Sequence, residues 1–513
     1  MKTRCLIGCV SILAVASMMS ACGSDNDVVG NEDKGKVDAA YVWTTDAGIK
    51  ACTNILFQDG KENVKGTDIG NGAQEFVFTG KQTLKKGTYN LKGWVYIAAG
   101  AELTIEPGTI IKGDKETKAS LIVERGGKLI AQGTATAPIV FTSEQSAGNR
   151  RPGDWGGIII CGKAYNNQKE MQIEGGPRTK HGGEDNADNS GVLSYVRIEF
   201  AGYPFQKDQE INGLTLGSVG SGTKIDHVQV SYSNDDSYEW FGGAVNCKYM
   251  IAYKGWDDDF DTDNGYSGKV QFGLAVRDSK IADTSMSNSM ESDNSAAGAA
   301  VSPWTTASFS NMTFIGPKFS DNAFKNSSDY ITGGKMNPNN GSALGKFQSV
   351  MHIRRNSRLN CFNSVAVGFP IGIILDNQKG DTQGSATKGL LSLKNIWLAG
   401  MDIVGSDANK VFEDVLVTGY DSKSKPITDA TEKSFSSTFF TAQSGNNVSD
   451  IAALKLDTKT FMPNASSPLL SGANFAEAVL SSWFDKVNYI GAFSSNDNWV
   501  NGWTNFDPEN TQY

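Results

Sequence analysis

Apolar positions along the chain recur in short alternating runs rather than with a helical period. Ile97-Ala98-Ala99-Gly100-Ala101-Glu102-Leu103-Thr104-Ile105 returns 26 residues later as Val123-Glu124-Arg125-Gly126-Gly127-Lys128-Leu129-Ile130-Ala131. Each is a short strand pattern broken by glycine. A polar residue followed by an apolar, an arbitrary and another apolar one then recurs. It is found at Tyr195-Val196-Arg197-Ile198, His227-Val228-Gln229-Val230, Asn311-Met312-Thr313-Phe314, Ser364-Val365-Ala366-Val367, Asn395-Ile396-Trp397-Leu398 and Asp414-Val415-Leu416-Val417. The closer copies lie about 20 to 32 residues apart, as coils with loops of unequal length would. No long segment carries a 3.6-residue period, so the crossover helices of an ordinary α/β sheet are missing. Parallel strands without helices predict an all-β parallel β-helix, a solenoid in which Leu103 lies over Leu129 inside and Gly100 and Gly126 sit at bends.

A β-helix must cover its end coils to hide open strand edges. Residues 38–84 are therefore expected to form an N-terminal cap, 85–420 the coils and 421–513 a C-terminal cap region. From Asp421 the composition turns to Ser, Thr, Asp and Asn, with Phe439-Phe440, Trp483-Phe484, Trp499 and Trp503 as the candidate apolar contacts. Gln145 to Arg151 and Tyr165 to Asn189 read as loops thrown off one face. The first residues predict an address: Met1-Lys2-Thr3-Arg4 is positive, Cys5 to Met19 is apolar, and Met19-Ser20-Ala21-Cys22 reads as a lipobox. Residues 1–21 would be a signal peptide, Cys22 the lipidated (palmitate-type) N-terminus and 22–37 a tether, giving a membrane-anchored rather than membrane-spanning protein.

The segments Gly100-Ala101-Glu102-Leu103-Thr104-Ile105-Glu106-Pro107-Gly108-Thr109, Ala137-Pro138-Ile139-Val140-Phe141-Thr142-Ser143 and Asp154-Trp155-Gly156-Gly157-Ile158 resemble the opening coils of right-handed β-helix lipoproteins of Bacteroidetes, of the pectate-lyase-like type. The segment Asp235 to Phe272 and the ending Tyr489-Ile490-Gly491-Ala492-Phe493 with Trp499 to Thr504 resemble the same family. The likeness covers most of residues 85–513 and implies a right-handed helix. Gly23-Ser24-Asp25-Asn26-Asp27 resembles the export signal of lipoproteins carried to the outer face of the outer membrane, which implies a cell outer membrane protein facing outside.

Charge then singles out one stretch. From Asn234 to Asp293 there are twelve carboxylates against five basic residues, a net of −7 in a chain whose total is −9. Carboxylates so crowded repel one another unless a cation lies among them, so Asp235, Asp236, Glu239, Asp257, Asp259, Asp261 and Asp263 are candidate ligands of a calcium ion. In a strand, Asp257, Asp259, Asp261 and Asp263 would share one face, and Asp236 precedes Asp258 by one coil. It is not an EF-hand: Gly265 comes one position late and Val270 stands where the closing Glu belongs. The alternative is that these acids cap turns or pair with Lys254, Lys269 and Arg277.

The acidic balance argues against nucleic acid as partner. Cys52, Cys161, Cys247 and Cys361 lie far apart and read as buried thiols. His181, His227 and His352 come without a Gly-x-Ser-x-Gly elbow, which disfavours nucleophile-triad chemistry, and His227 reads as a rung residue. Tyr238, Trp240 and Trp256 beside carboxylates suit a sugar face, the alternative being that both tryptophans are inward core residues; the leading expectation is a surface lipoprotein that binds glycans or serves as an accessory or adhesion protein toward a polysaccharide or a surface partner protein. The competing expectation is an enzyme acting on acidic polysaccharide. Resemblance to pectate-lyase-like enzymes implies a calcium-dependent lyase with Arg277 as base, with structural pairing of Arg277 to Asp278 as the alternative. A glycoside hydrolase would need two of the carboxylates at catalytic spacing.

Overall fold

The computed structural model describes residues 51–58, 61–62, 66–173, 177–206 and 209–513. Cys22, the 1–21 leader, the 22–37 tether and residues 38–50 of the expected cap lie outside the described residues.

Alternation in the sequence becomes two long parallel sheets. Sheet A stacks one short strand from each coil, among them Trp94–Ile97, Ser120–Val123, Gly157–Cys161, Leu214–Gly217, Tyr238–Phe241, Phe260–Asp263, Met290–Ser292, Ser349–Ile353 and Ile371–Leu375. Its inner ladder runs Val95, Leu121, Ile158, Leu214, Tyr238, Phe260, Met290, Met351, Ile373, each in register with the next. All are buried, and each large side chain withdrawn from water contributes ~1.5–3 kcal/mol. The molecule is a right-handed parallel β-helix. Leu103 pairs in parallel register with Leu129, and Gly100 and Gly126 take left-handed φ values of 80° and 86° at the bends.

Sheet B is built from longer strands, Gly191–Glu199, Lys224–Ser231, Asn246–Tyr253, Lys269–Val276, Ser308–Ile315, Asn360–Val367 and Ser392–Ala399. Each turns a corner at one left-handed residue: Tyr195, His227, Tyr249, Phe272, Asn311, Asn363 or Asn395, with φ between 51° and 62°. Asn tolerates this region, whereas a ring there needs support from its surroundings. The support is a stack: Tyr195 and His227 rings lie 4.2 Å apart, His227 and Tyr249 4.4 Å, and Tyr249 and Phe272 5.1 Å. His227 is thus a rung residue.

The ends differ from the sequence expectation. Parallel rungs already start at Asp68–Ile69 and Phe76–Phe78, and Leu56–Gln58 folds antiparallel across the first of them. Asp414-Val415-Leu416-Val417 is not a rung; Leu416–Tyr420 pairs antiparallel with Pro426–Asp429 in a hairpin outside the stack. The helix Phe435–Ala442 packs on the last strands of sheet A and caps them, its first turn held by Asp407 and the Ser434 side chain. Residues 468–513 are no end cap. They run back along the corner column, with Trp503 edge-on to Tyr195 and His227 and Trp499 against Tyr249, because a stacked aromatic column leaves its outer edges to be covered. Side-chain amides of the column's strands hold this strap in two-bond pairs: Gln271 with the backbone N–H and C=O of Asp485, Asn363 with those of Asn474, and Gln229 with those of Asn505. The four expected thiols are buried and unbridged.

Candidate functional site

In sheet A, residues alternating with the inner ladder point outward. This outer ladder reads Tyr96, Ile122, Ile159, Thr215, Glu239, Asp261, Glu291, His352, Ile374. Its apolar start is roofed by Ile173 and residues 177–181, where Arg178 lies 4.6 Å from the Tyr96 ring and the His181 ring packs at Gly217. Its acidic middle forms a trough. One wall is Asn167, donating to the Asn294 carbonyl, and Gln168, donating to Asn264 Oδ1 at 3.0 Å. The other comes from the turn at Ser285, whose hydroxyl donates to Asp257 Oδ2 at 2.6 Å, and from Ser342, bonded to Asn234 at 2.8 Å.

Within the trough, carboxylate oxygens of Asp236, Glu239 and Asp261 lie within 4.8 Å of one another, as do those of Asp235, Asp236 and Asp257. The expected neighbouring coils do converge here. Their basic partners face elsewhere: Lys254 pairs with Asp278 at 3.3 Å and Lys269 reaches Ser482. Among the described residues no Lys or Arg side chain forms an ion pair with Asp236, Asp257, Asp258 or Asp261. Burial first, and then the neighbouring acids, push the carboxyls of Asp236, Asp257, Asp258 and Asp261 well above the usual range. Burial and Asp293 hold Asp263 at about 8.

Several expected site residues lie elsewhere. Tyr238, Trp240 and Trp256 are not a sugar platform. Tyr238 and Trp240 belong to the inner face of sheet A, both rings stack with Phe260, and the Tyr238 hydroxyl donates to the Val228 and Ile251 carbonyls. Trp256 is fully buried in an apolar cluster that also contains Phe319 and Met336. Arg277 is not a base. It is 1% exposed, its guanidinium bonds Asp259 Oδ1 at 2.9 Å and the carbonyls of Asp257 and Trp256, and Phe347 covers it. Its partner is thus Asp259 rather than Asp278. Asp259 is thereby withdrawn from the cation set. The four-Asp single face fails as well, because residues 257–259 lie outside the strand and alternation starts only at Phe260. Asp261 and Asp263 face outward, but Asp263 lies toward Asp293, Arg354 and Arg355.

Sequence reasoning missed the far end of the trough. Glu291 is ion-paired with Arg354, while Asp293 binds Arg354 at 2.9 Å and Arg355 at 2.5 Å. His352 stands 3.4 Å from Glu291 and 3.5 Å from Asp376, to which the Tyr420 hydroxyl donates at 3.1 Å. Burial raises the Glu291 carboxyl, but Arg354 and His352 outweigh it and hold it at about 2; burial opposes the His352 imidazolium, and the two carboxylates outweigh that too and raise its pKa. The clue was Met290-Glu291-Ser292 in strand alternation. His352 was hidden by the inserted residues 317–347.

The sequence model of the pectate-lyase-like β-helix domain matches residues 77–504. The chain belongs to this family. Membership agrees with the stacked coils, and the family's fold fits a glycan-related role in general terms. No curated protein and no solved structure matches the chain. Fold alone does not choose among the chemistries a β-helix can carry, so the pectate-lyase-like family leaves the particular activity to the trough's own groups.

Proposed function

We propose that the protein is a lipid-anchored lipoprotein of the outer membrane, facing outside, that binds acidic glycans in the trough through calcium held by Asp236, Glu239 and Asp261. The leader ending at Cys22, the Ser/Asp-rich stretch behind it and the likeness to Bacteroidetes lipoproteins support the address. One observation carries the binding reading: carboxylate oxygens of Asp236, Glu239 and Asp261, from two adjacent coils, converge within 4.8 Å, and among the described residues neither Asp236 nor Asp261 forms an ion pair with a Lys or Arg. A hard divalent cation takes oxygen ligands and turns their repulsion into ligation. It then presents positive charge to a uronate or sulfate, while the hydroxyl and amide groups of the walls take sugar hydroxyls.

Binding is favoured over lyase chemistry because the expected base, Arg277, is enclosed and committed to Asp259. The test is retention on immobilised acidic polysaccharides with calcium or with chelator, alongside an ultraviolet assay for unsaturated ends and a reducing-end assay. Saturable retention lost with chelator, without product, is the expected result. Retention indifferent to chelator, or turnover of the polysaccharide, would overturn it. At calcium one hundred times its dissociation constant the folded state gains about 2.7 kcal/mol, so chelator should also lower the unfolding midpoint.

A further inference from the structure

We infer that the trough holds two divalent cations rather than one, in adjoining positions that share Asp236. This rests on the cation reading above and extends it. The first position lies on the strand face, between Asp236, Glu239 and Asp261; the second lies at the turn, between Asp235, Asp236 and Asp257. Asp236 is the residue common to both sets.

Acidic crowding alone would not justify ions, but uncharged oxygens beside it lack partners. Asn212 is 1% exposed; its amide N–H donates to Glu239 and its Oδ1 accepts nothing. Thr215, fully buried, is the rung neighbour of Glu239 on the outer ladder, and its Oγ1 is likewise unpartnered. Near the turn, Ser237 Oγ is buried without a partner against the backbone of Gly255. Each position also contains one buried carboxylate oxygen with no hydrogen bond, Asp261 Oδ1 at the face and Asp257 Oδ1 at the turn. Unsatisfied buried acceptors cost free energy that a cation relieves. The donor set is all oxygen, from carboxylates, an amide carbonyl and hydroxyls. That selects calcium, magnesium or manganese over zinc or copper, which prefer nitrogen and sulfur.

Sharing has a consequence: a bridging carboxylate neutralises both ions, so losing it weakens both positions. Two adjacent ions would also meet two neighbouring anionic groups of one glycan chain.

Calorimetric titration of the full chain with calcium alone, after chelation and dialysis, tests this, with circular dichroism confirming that each variant is folded. Wild type should bind two ions per chain. Asp257→Asn and Asp261→Asn should each leave one, and Asp236→Asn should weaken both. A wild-type stoichiometry of one, unchanged by Asp257→Asn, would overturn the pair and leave the face site standing. Loss of one ion with the other unaffected in Asp236→Asn would overturn the sharing. No calcium binding at all would remove the proposed function's cation together with the pair.

Discussion

Two ladders run along the outside of the same coils, and their fates differ. On the corners of sheet B, Tyr195, His227, Tyr249, Phe272, Asn311, Asn363 and Asn395 form a column that the chain covers with its own residues 468–513. The amides of Gln229, Gln271 and Asn363 each spend a donor and an acceptor on one strap residue. On sheet A, Thr215, Glu239 and Asp261 line the trough, and Thr215 Oγ1 and Asp261 Oδ1 are buried there without a hydrogen bond. Two aspartates, one from each ladder, differ in their electrostatics. Burial raises Asp226 beside the corner column, but His227, Ser194 and Lys224 outweigh it and hold its carboxyl at about 2, whereas Asp263 in the trough is pushed up to about 8. A ladder closed by its own chain is architecture. One left with unsatisfied oxygens, in an equally regular fold, is where an outside ligand has something to gain.

The sharpest way to break this contrast is at Arg277, the enclosed arginine assigned to architecture. Removing Arg277 strands Asp259 as a buried, unpaired charge, so Arg277→Met should cost about 3–5 kcal/mol of stability in a denaturant titration. Asp259→Asn in the same background should recover part of it. A variant with the wild-type unfolding midpoint that had lost a polysaccharide-cleaving activity would return Arg277 to chemistry and the trough to catalysis.

Next comes the strap. Trp503 is 1% exposed between the corner rings and donates its indole N–H to the Trp499 carbonyl at 2.7 Å. Trp503→Ala should cost about 3 kcal/mol through the cavity it leaves. Calcium binding in the trough should stay unchanged, because the two ladders lie on different sheets. A thermal melt and a calcium titration on the same sample check both halves. Loss of calcium binding with the fold intact would mean that the ladders are coupled.

How much of this was legible in the sequence depended on whether the signal was local. Leu103 over Leu129 followed from alternation repeated at a fixed offset, and the convergence of Asp236 with Asp258 from a single coil length. For Trp240 and Trp256 the acids beside them left a sugar-facing role open, and the inward core alternative is the one that holds. Parity decides instead: Glu239 points out, so Tyr238 and Trp240 point in, as Phe260 and Thr262 do one rung on. Arg277 was paired in prospect with adjacent Asp278, but its partner lies 18 residues back, one coil away. The strap was beyond reach for a similar reason. Its partners, such as Gln271 for Asp485, are 214 residues distant, and no repeat encodes them.

The smallest expected effect compares two aspartates. Asp226 accepts from Ser194 Oγ at 2.6 Å and His227 Nδ1 at 2.9 Å, and its other oxygen lies 3.0 Å from Lys224 Nζ. Its carboxyl is held at about 2, below the ordinary 3.8, so its contribution is present above pH 3.8 and is lost as pH falls through about 2. The advantage of wild type over Asp226→Asn should be ~1–2 kcal/mol at neutral pH and should close on acidification. Asp263 has the opposite sign. Held at about 8, it is protonated in the folded chain, and its contribution is present below pH 3.8 and lost as pH rises through about 8. In chelator, Asp263→Asn should therefore gain on wild type as pH rises across that window. Denaturant titrations of both variants at pH values from acid to mildly alkaline read the two slopes directly. Slopes of the same sign would mean that the two aspartates share one electrostatic character. Opposite slopes would show that its partners stabilise the Asp226 carboxylate, whereas burial beside Asp293 disfavours that of Asp263.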